Sequence, residues 1–361
     1  MNEYNFFKTE DNSTGLYSIT TQDIFHSKTG ALKEAYDKFI KPSFLSEKLK
    51  NKSEIKILDL CSGVGYNLKA ALNEVDKQKV IIDSIEINKE FLFLTPFLND
   101  SINNIELNFF ILNELCKNKF SLDEILNYVF LVSKNENKQF FSLSMLNLAN
   151  FIQNYPYKTL EQPQNNSFLH NIYYNYISIN NIKIPQTNKY TNCDIRYHLG
   201  DARKTIKTLQ NKYDVIFFDA FSSQKDPTLW TINLLSIIKE KMDNDSILVS
   251  YSKSTAFRSA LLELGFYVGK TFIDGLDMGS VVSLNKNNII NPLSDFDLEL
   301  IKTRSGIFYK DNDDLSLTPE EILHNREIEQ TNSSRISQTK FLKLYNSNWN
   351  IITTNRIDIY P

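Results

Sequence analysis

Four acidic residues stand where short apolar runs end, and each could do chemistry there. Asp219 follows the run 214–218 and opens Asp219-Ala220-Phe221-Ser222-Ser223-Gln224-Lys225-Asp226-Pro227-Thr228-Leu229-Trp230. A lone carboxylate after so apolar a run either caps the next element or handles a reacting nucleophile. For an amine it can orient the nitrogen and take its proton, which frees the lone pair for an in-line displacement. Asp59 opens a second segment, Asp59-Leu60-Cys61-Ser62-Gly63-Val64-Gly65-Tyr66-Asn67, whose two glycines let backbone pass close to a ligand. No third glycine follows at the dinucleotide spacing, so a smaller cofactor such as S-adenosylmethionine is favoured over a pyrophosphate. An ordinary strand-to-helix turn would use the same glycines.

Glu86 closes a further apolar run about 20 positions after that turn, where a carboxylate can accept both hydroxyls of a ribose. An acid at an apolar strand end is costly to leave unpaired, which weighs against a merely solvated role. Asp201, in Gly200-Asp201-Ala202-Arg203, could accept from the exocyclic amine of adenine or cap the helix that starts at Ala202. The two are compatible.

Such residues need a scaffold that brings strand ends together. From residue 55 the chain alternates apolar runs with amphipathic stretches, as expected of a parallel sheet covered by helices. Strands are expected at 55–60, 80–87, 194–199, 214–218, 246–251, 266–273 and 281–284, and helices at 67–75, 202–209, 231–242 and 255–264. Ligands of such sheets bind at the carboxyl ends of the strands, near the switch in strand order. Between about 90 and 192 the rhythm fails, and helical periods at 122–132 and 143–152 point to an inserted helical lobe, since a structureless loop of that length is improbable. Residues 1–54 read as a polar preface ending in an amphipathic helix near 31–39, and 286–361 as a C-terminal extension. In the latter, Thr318-Pro319-Glu320-Glu321 has the form of a helix start. The expected divisions are therefore 1–54, 55–285 and 286–361.

The chain has 361 residues, of which 42% are hydrophobic, enough for a substantial core. No apolar run reaches the roughly 18 residues a membrane span needs, and the first ten residues lack a secretory pattern, so a cytoplasmic protein with no membrane partner is expected. Cys61, Cys116 and Cys193 are scattered, with no paired spacing and no His at ligand distance, so neither disulfides nor a metal site is expected. His170, His198 and His324 show no evident partners. A formal charge of -3 offers no global attraction to nucleic acid, although a local basic patch could supply one. Tyr173, Tyr174 and Tyr176 could stack on bases, but core packing is the better reading.

Taken in order, Phe25-His26-Ser27-Lys28-Thr29-Gly30-Ala31-Leu32-Lys33-Glu34-Ala35, the 58–67 loop, Gly200-Asp201-Ala202-Arg203, Asp219-Ala220-Phe221 through Trp230, and Ser250-Tyr251-Ser252 resemble the methyltransferase domain of the MnmC family over roughly residues 10–285. The segment from Thr303-Arg304-Ser305-Gly306 to Arg326-Glu327 also resembles tails of stand-alone members. The resemblance implies an α/β, Rossmann-like class I S-adenosylmethionine-dependent methyltransferase with a helical insertion. It implies methylation of the 5-aminomethyl group of the wobble uridine, or 2-thiouridine, in the tRNA anticodon. Carried over, Asp59, Gly63, Gly65, Asn67, Glu86, Asp201 and Ala202 would hold the cofactor, and Asp219 would face the amine. His26, Glu34, Phe221, Lys225, Trp230 and Tyr251 would form the acceptor side. Bifunctional members add a flavin oxidoreductase, for which this chain has neither a second glycine fingerprint nor the length, so no FAD is expected.

Two rival readings use the same fold. A polyamine aminopropyltransferase would also serve an amine from an acid at this strand end, but no acidic cluster suited to a polycation is evident in the sequence. A non-catalytic RNA-binding protein would be expected to lose the glycine turn, Glu86 or Asp219, and all are present.

Overall fold

The computed structural model of the chain describes residues 4–19, 23–25, 28–155, 166–182 and 189–345. Ten strands occur among them. They are β1 (Tyr4–Lys8), β2 (Thr14–Ser18), β3 (Asp23–Ile24), β4 (Glu54–Leu60), β5 (Lys79–Glu86), β6 (Cys193–Leu199), β7 (Tyr213–Phe218), β8 (Met242–Ser250), β9 (Tyr267–Ile273) and β10 (Leu276–Ser283). Seven form one sheet in the order β6-β5-β4-β7-β8-β10-β9, and β1-β2-β3 form a separate one. The chain divides into two compact units, Met1–Ala220 with Leu248–Ser250, and Phe221–Ile247 with Tyr251–Pro361.

In the first unit β6, β5, β4 and β7 run parallel. Strands buried on both faces carry nearly continuous apolar sequence. In β7, Val215, Ile216, Phe217 and Phe218 all have zero exposure, and Ile55, Ile57, Leu58 and Leu60 of β4 are as deeply buried. The strand order reverses at β4, whose neighbours are β5 on one side and β7 on the other. The helix Tyr66–Glu74 follows β4, and Ala202–Thr208 follows β6. Between β5 and β6 the described residues form the helices Lys89–Leu94, Ile105–Lys117, Leu122–Asn135, Leu143–Asn154 and Asn166–Ile179.

The preface holds more order than its polarity suggests, because β1, β2 and β3 pair antiparallel ahead of the helix Ala31–Ala35. These strands are too short, and too mixed in polarity, for a period of two to stand out.

The second unit contains the first six residues of β8, the β9–β10 hairpin, and the helices Ile232–Glu240, Thr255–Glu263, Asp295–Ile301 and Pro319–Asn332. β8 begins at Met242, before the apolar run expected from 246, because exposed Asp243, Asn244 and Asp245 extend it. Arg258 organises this unit. Its guanidinium donates to both carboxylate oxygens of Asp277 at 3.0 Å, to Ser280 and to the Gly279 carbonyl, a bidentate arrangement that suits a planar fork. The 319–332 helix starts with the capping box formed by Thr318 and Glu321. No helix among the described residues is long and apolar enough to cross a membrane.

Candidate active site

Register places the acids. Leu60 of β4 lies opposite Ile85 of β5 and Phe218 of β7, so Glu86 and Asp219 both extend one residue past it, level with Cys61 and on either side of the glycine turn. With neighbouring strands just under 5 Å apart, those two strand ends are separated by roughly 10 Å. This is a span in which a nucleoside can lie.

The turn is held from β5. Cys61 and Ser62 donate backbone N–H groups to the Ile85 carbonyl, and Ser84 Oγ donates to Ser62 Oγ. Gly63 donates its N–H to Glu86 Oε2 at 2.8 Å, while Ile87 and Asn88 donate theirs to Oε1. Glu86 therefore braces the turn as well as facing outward from β5. Burial pushes its carboxyl above the ordinary range, against the three N–H donors, which pull it down. Gly63 and Gly65 have φ of 53° and 76°, where a side chain is strained. At Gly65 a Cβ would lie 2.5 Å from Thr95 Cγ2, whereas at Gly63 the nearest atom is Phe25 Cδ1 at 3.8 Å, so the backbone there is open to a ligand.

Asp59 has zero exposure, and neither of its carboxylate oxygens has a hydrogen-bond partner. Burial, followed by the charges of Asp219 and Glu86, holds its carboxyl well above the usual carboxylate range. Asn67, in the helix that follows the turn, donates its amide to Asp219 Oδ2 at 2.9 Å. Asp219 keeps some open surface yet is ringed by protein. Burial raises its carboxyl to about 7, with Glu34 adding repulsion and with Asn67 and Lys38 pulling the other way. Three carboxyls thus converge on one turn, a field that favours a cation. S-adenosylmethionine carries a sulfonium and an ammonium group, and the orphaned Asp59 together with the open Gly63 backbone fits it.

The N-terminal meander positions this site. Tyr66, fully buried, receives the Thr14 N–H at 3.0 Å and donates its hydroxyl to the Thr14 carbonyl at 2.9 Å, which ties β2 to the helix of the glycine turn. Lys69 of the same helix forms an almost wholly buried ion pair with Asp100 at 2.6 Å. Asp11 accepts from the Lys33 N–H and Ser13 from the Ala31 N–H, so the start of the 31–35 helix is capped from the meander. Gly30 is required there, since φ is 147° and a Cβ would lie 2.3 Å from Asp11. That cap fixes Glu34, which pairs with Lys38. His26 lies outside the described residues.

Of the other expected site residues, Asp201 caps its helix by accepting from the Arg203 N–H at 2.9 Å and pairs with the Arg203 guanidinium at 3.0 Å; Ala202 is buried as the first helical residue. Phe221, Lys225, Trp230 and Tyr251 belong to the second unit. There Trp230 is 1% exposed, donates its indole N–H to the Phe221 carbonyl at 2.7 Å, and packs edge-on against Phe257 and Tyr251. It can act on a ligand only by shaping the Phe221 loop, whereas Lys225 is exposed and Tyr251 half-buried.

His198, unpartnered in the sequence, pairs with buried Asp83 at 2.7 Å, which also accepts from Asn211 and Tyr213. Tyr173 and Tyr176 are core residues, Tyr173 stacking on Phe109 at 4.0 Å, while Tyr174 is exposed. Among the described residues no cluster of His, Cys, Asp and Glu could hold a metal ion. The roles of Tyr66, Lys38 and the Lys69–Asp100 pair have no motif to announce them.

The strand order, the glycine turn and the acids at the ends of β4, β5 and β7 define a class I S-adenosylmethionine-dependent methyltransferase. Residues 163–275 match a family described as S-adenosyl-L-methionine-dependent methyltransferase. Over 327 residues the chain is 31% identical to the uncharacterized protein MJ0670 of Methanocaldococcus jannaschii, a match covering 90% of this chain and 72% of that protein, and it belongs to that protein's family. A shorter stretch of 73 residues is 30% identical to the tRNA 5-methylaminomethyl-2-thiouridine biosynthesis bifunctional protein MnmC of Paracidovorax citrulli, covering 20% of this chain and 12% of that protein. Among solved structures, MNMC2 from Aquifex aeolicus is similar with a TM-score of 0.60 and 27% identity, covering 91% of this chain and 86% of that one.

Proposed function

We propose that the chain methylates the 5-aminomethyl group of the wobble uridine, or 2-thiouridine, of tRNA. The observation that carries this reading is Asp219, a carboxylate raised to about 7 and held by Asn67 beside the cofactor turn, the setting a base for an ammonium acceptor needs. The similarity to MnmC and MNMC2 supports the choice of acceptor.

When bound, S-adenosylmethionine supplies an electrophilic methyl group on a sulfonium sulfur. Asp59, Gly63, Gly65, Asn67, Glu86, Asp201 and Ala202 are the residues proposed to hold it. Ionised Asp219 takes one proton from the acceptor ammonium at Oδ1, which has no hydrogen-bond partner among the described residues, and leaves a neutral amine with its lone pair free. Asn67 fixes the carboxylate plane so that Oδ1 is the oxygen on offer. Phe221, Lys225, Trp230 and Tyr251 are proposed for the acceptor side, with Trp230 acting through the Phe221 loop; His26 and Glu34 are proposed for that side as well.

The test is transfer of labelled methyl from S-adenosylmethionine to tRNA carrying 5-aminomethyluridine, against the same tRNA lacking the aminomethyl group. Labelling of the first alone is expected. Equal labelling of both, or aminopropyl transfer to putrescine with neither tRNA labelled, would overturn the reading.

A further inference from the structure

We propose that Glu34 and Lys38 are a pair of positioning residues whose opposed charges adjust the protonation of Asp219, and through it the pH at which the acceptor amine is readied. The inference rests on the proposed amine chemistry for its purpose, but its physical content does not.

The geometry comes from one short segment. The helix Ala31–Ala35 continues directly into a wider turn, Tyr36–Ile40, in which the Lys41 N–H reaches back five residues to the Tyr36 carbonyl at 3.0 Å. Such π-type turns are rare inside helices and frequent at functional sites. This segment packs on the Tyr66–Glu74 helix, the one that carries Asn67. Two sets of charges result. Asp37, itself 10% exposed, pairs with Lys33 and Lys41, whose side chains are 56% and 70% exposed, so the cations of that set are solvated. Glu34 and Lys38 pair with each other at only 15% exposure each, on the segment whose Phe39 packs edge-on against Phe217, two residues before Asp219.

The opposed signs matter because water screens neither charge well at this depth. Burial raises the Asp219 carboxyl most; on top of it Glu34 repels ionised Asp219 and Lys38 attracts it, while Asn67 donates a neutral hydrogen bond and Asp59, on β4, is a further acidic group. A salt-bridged pair close to a base lets two opposed charges adjust that base in either direction, apart from any contact Glu34 makes on the acceptor side. Neither residue has to transfer a proton. The proton leaves the acceptor ammonium for Asp219 Oδ1, and the pair governs only how readily that oxygen receives it.

The experiment uses the full chain labelled with 13C at aspartate side-chain carboxyls, with the Asp219 resonance identified by its loss in Asp219→Asn, and follows that resonance through a pH titration. Glu34→Gln should lower the Asp219 midpoint by about one pH unit or more, and Lys38→Met should raise it by a smaller amount. Glu34→Asp and Lys38→Arg keep the charges and should restore midpoints close to the wild type, which separates charge from packing. Lys33→Met, on the solvated set, should leave Asp219 where it is. Unmoved midpoints in both neutralising variants, or shifts of both in one direction, would overturn the proposal. Midpoints that split as expected while aminomethyl tRNA stays unmethylated would uphold the pair and sink the substrate reading. Methylation of that tRNA with unmoved midpoints would do the reverse.

Discussion

The side-chain amide of Asn67 donates to Asp219 Oδ2 over 2.9 Å, and this contact couples the two halves of the site. Asn67 sits in the first turn of the helix that opens on the cofactor loop, and Asp219 ends the strand on the other side of β4. One oxygen of the carboxylate is thereby committed to the protein, and the proposed function assigns the other to the acceptor. A base positioned in this way has its entropy of orientation removed before the acceptor arrives.

Asp219→Asn should keep the geometry, because the new amide can still present its carbonyl oxygen to Asn67, yet it removes the proton acceptor. Methyl transfer is expected to fall by about 10²- to 10⁴-fold with cofactor affinity little changed, as read by single-turnover transfer and calorimetry. In the wild type, kcat/KM should climb about tenfold per pH unit below a midpoint near 7 and level off above it, since only ionised Asp219 accepts a proton. A variant that loses cofactor binding with turnover intact would remove the assigned role.

If Asp59 holds the cofactor as proposed, it links stability to cofactor binding. Its folded carboxyl holds a proton to higher pH than it does unfolded, so the folded chain carries the extra proton through the window above the ordinary carboxylate range. The sign follows. Stability is greatest below that window and is lost as pH rises through the raised value. Asp59→Asn should therefore be the more stable protein without cofactor at pH 8, by about 1–3 kcal/mol, and the gap should shrink toward pH 4. The same variant should bind S-adenosylmethionine about 10- to 100-fold more weakly, if the orphaned carboxylate serves a cationic group. Denaturant melts at several pH values, paired with cofactor titration, read both effects.

The two glycines of the turn should respond differently to alanine. Gly63→Ala meets only an ordinary 3.8 Å contact with Phe25 Cδ1 and should suffer mainly from its left-handed backbone, about 1–2 kcal/mol. Gly65→Ala adds a 2.5 Å clash with Thr95 Cγ2 and should cost more. Combining it with Thr95→Ser, which deletes that methyl group, should return most of the clash component and leave the backbone strain together with the 3.0 Å approach of the side-chain hydroxyl. Equal melting temperatures for Gly65→Ala with and without Thr95→Ser would show that the clash is relieved in some other way.

Several parts of the fold were legible because their causes are local. The β4-turn-helix unit announces itself through an apolar run and paired glycines, and Asp201 through a helix that needs a cap. The 318–321 start of the last long helix was likewise written in its capping residues. Where the cause is distant, sequence was silent. Nothing in the sequence around Tyr66 explains it; its reason is a pair of hydrogen bonds to Thr14, 52 positions earlier. His198 lacked a partner until β5 brought Asp83 beside it, and Trp230 read as a pocket wall until burial made it a core residue that holds a loop. Short β1, β2 and β3 went unseen because a strand of five residues leaves little periodicity.

By itself the sequence determined the alternation of strands and helices, the glycine conformations and the presence of acids at strand ends, since these follow from residue type and the nearest few neighbours. Tertiary structure alone decided what the acids do. Parallel register brings Glu86 and Asp219 to one level about the turn, burial leaves Asp59 without a partner, and the packing of the 31–40 segment leaves the Glu34–Lys38 pair mostly shielded from water. Proton affinity depends on desolvation and on charges a few ångströms away, and in a folded chain those charges come from residues far apart in sequence.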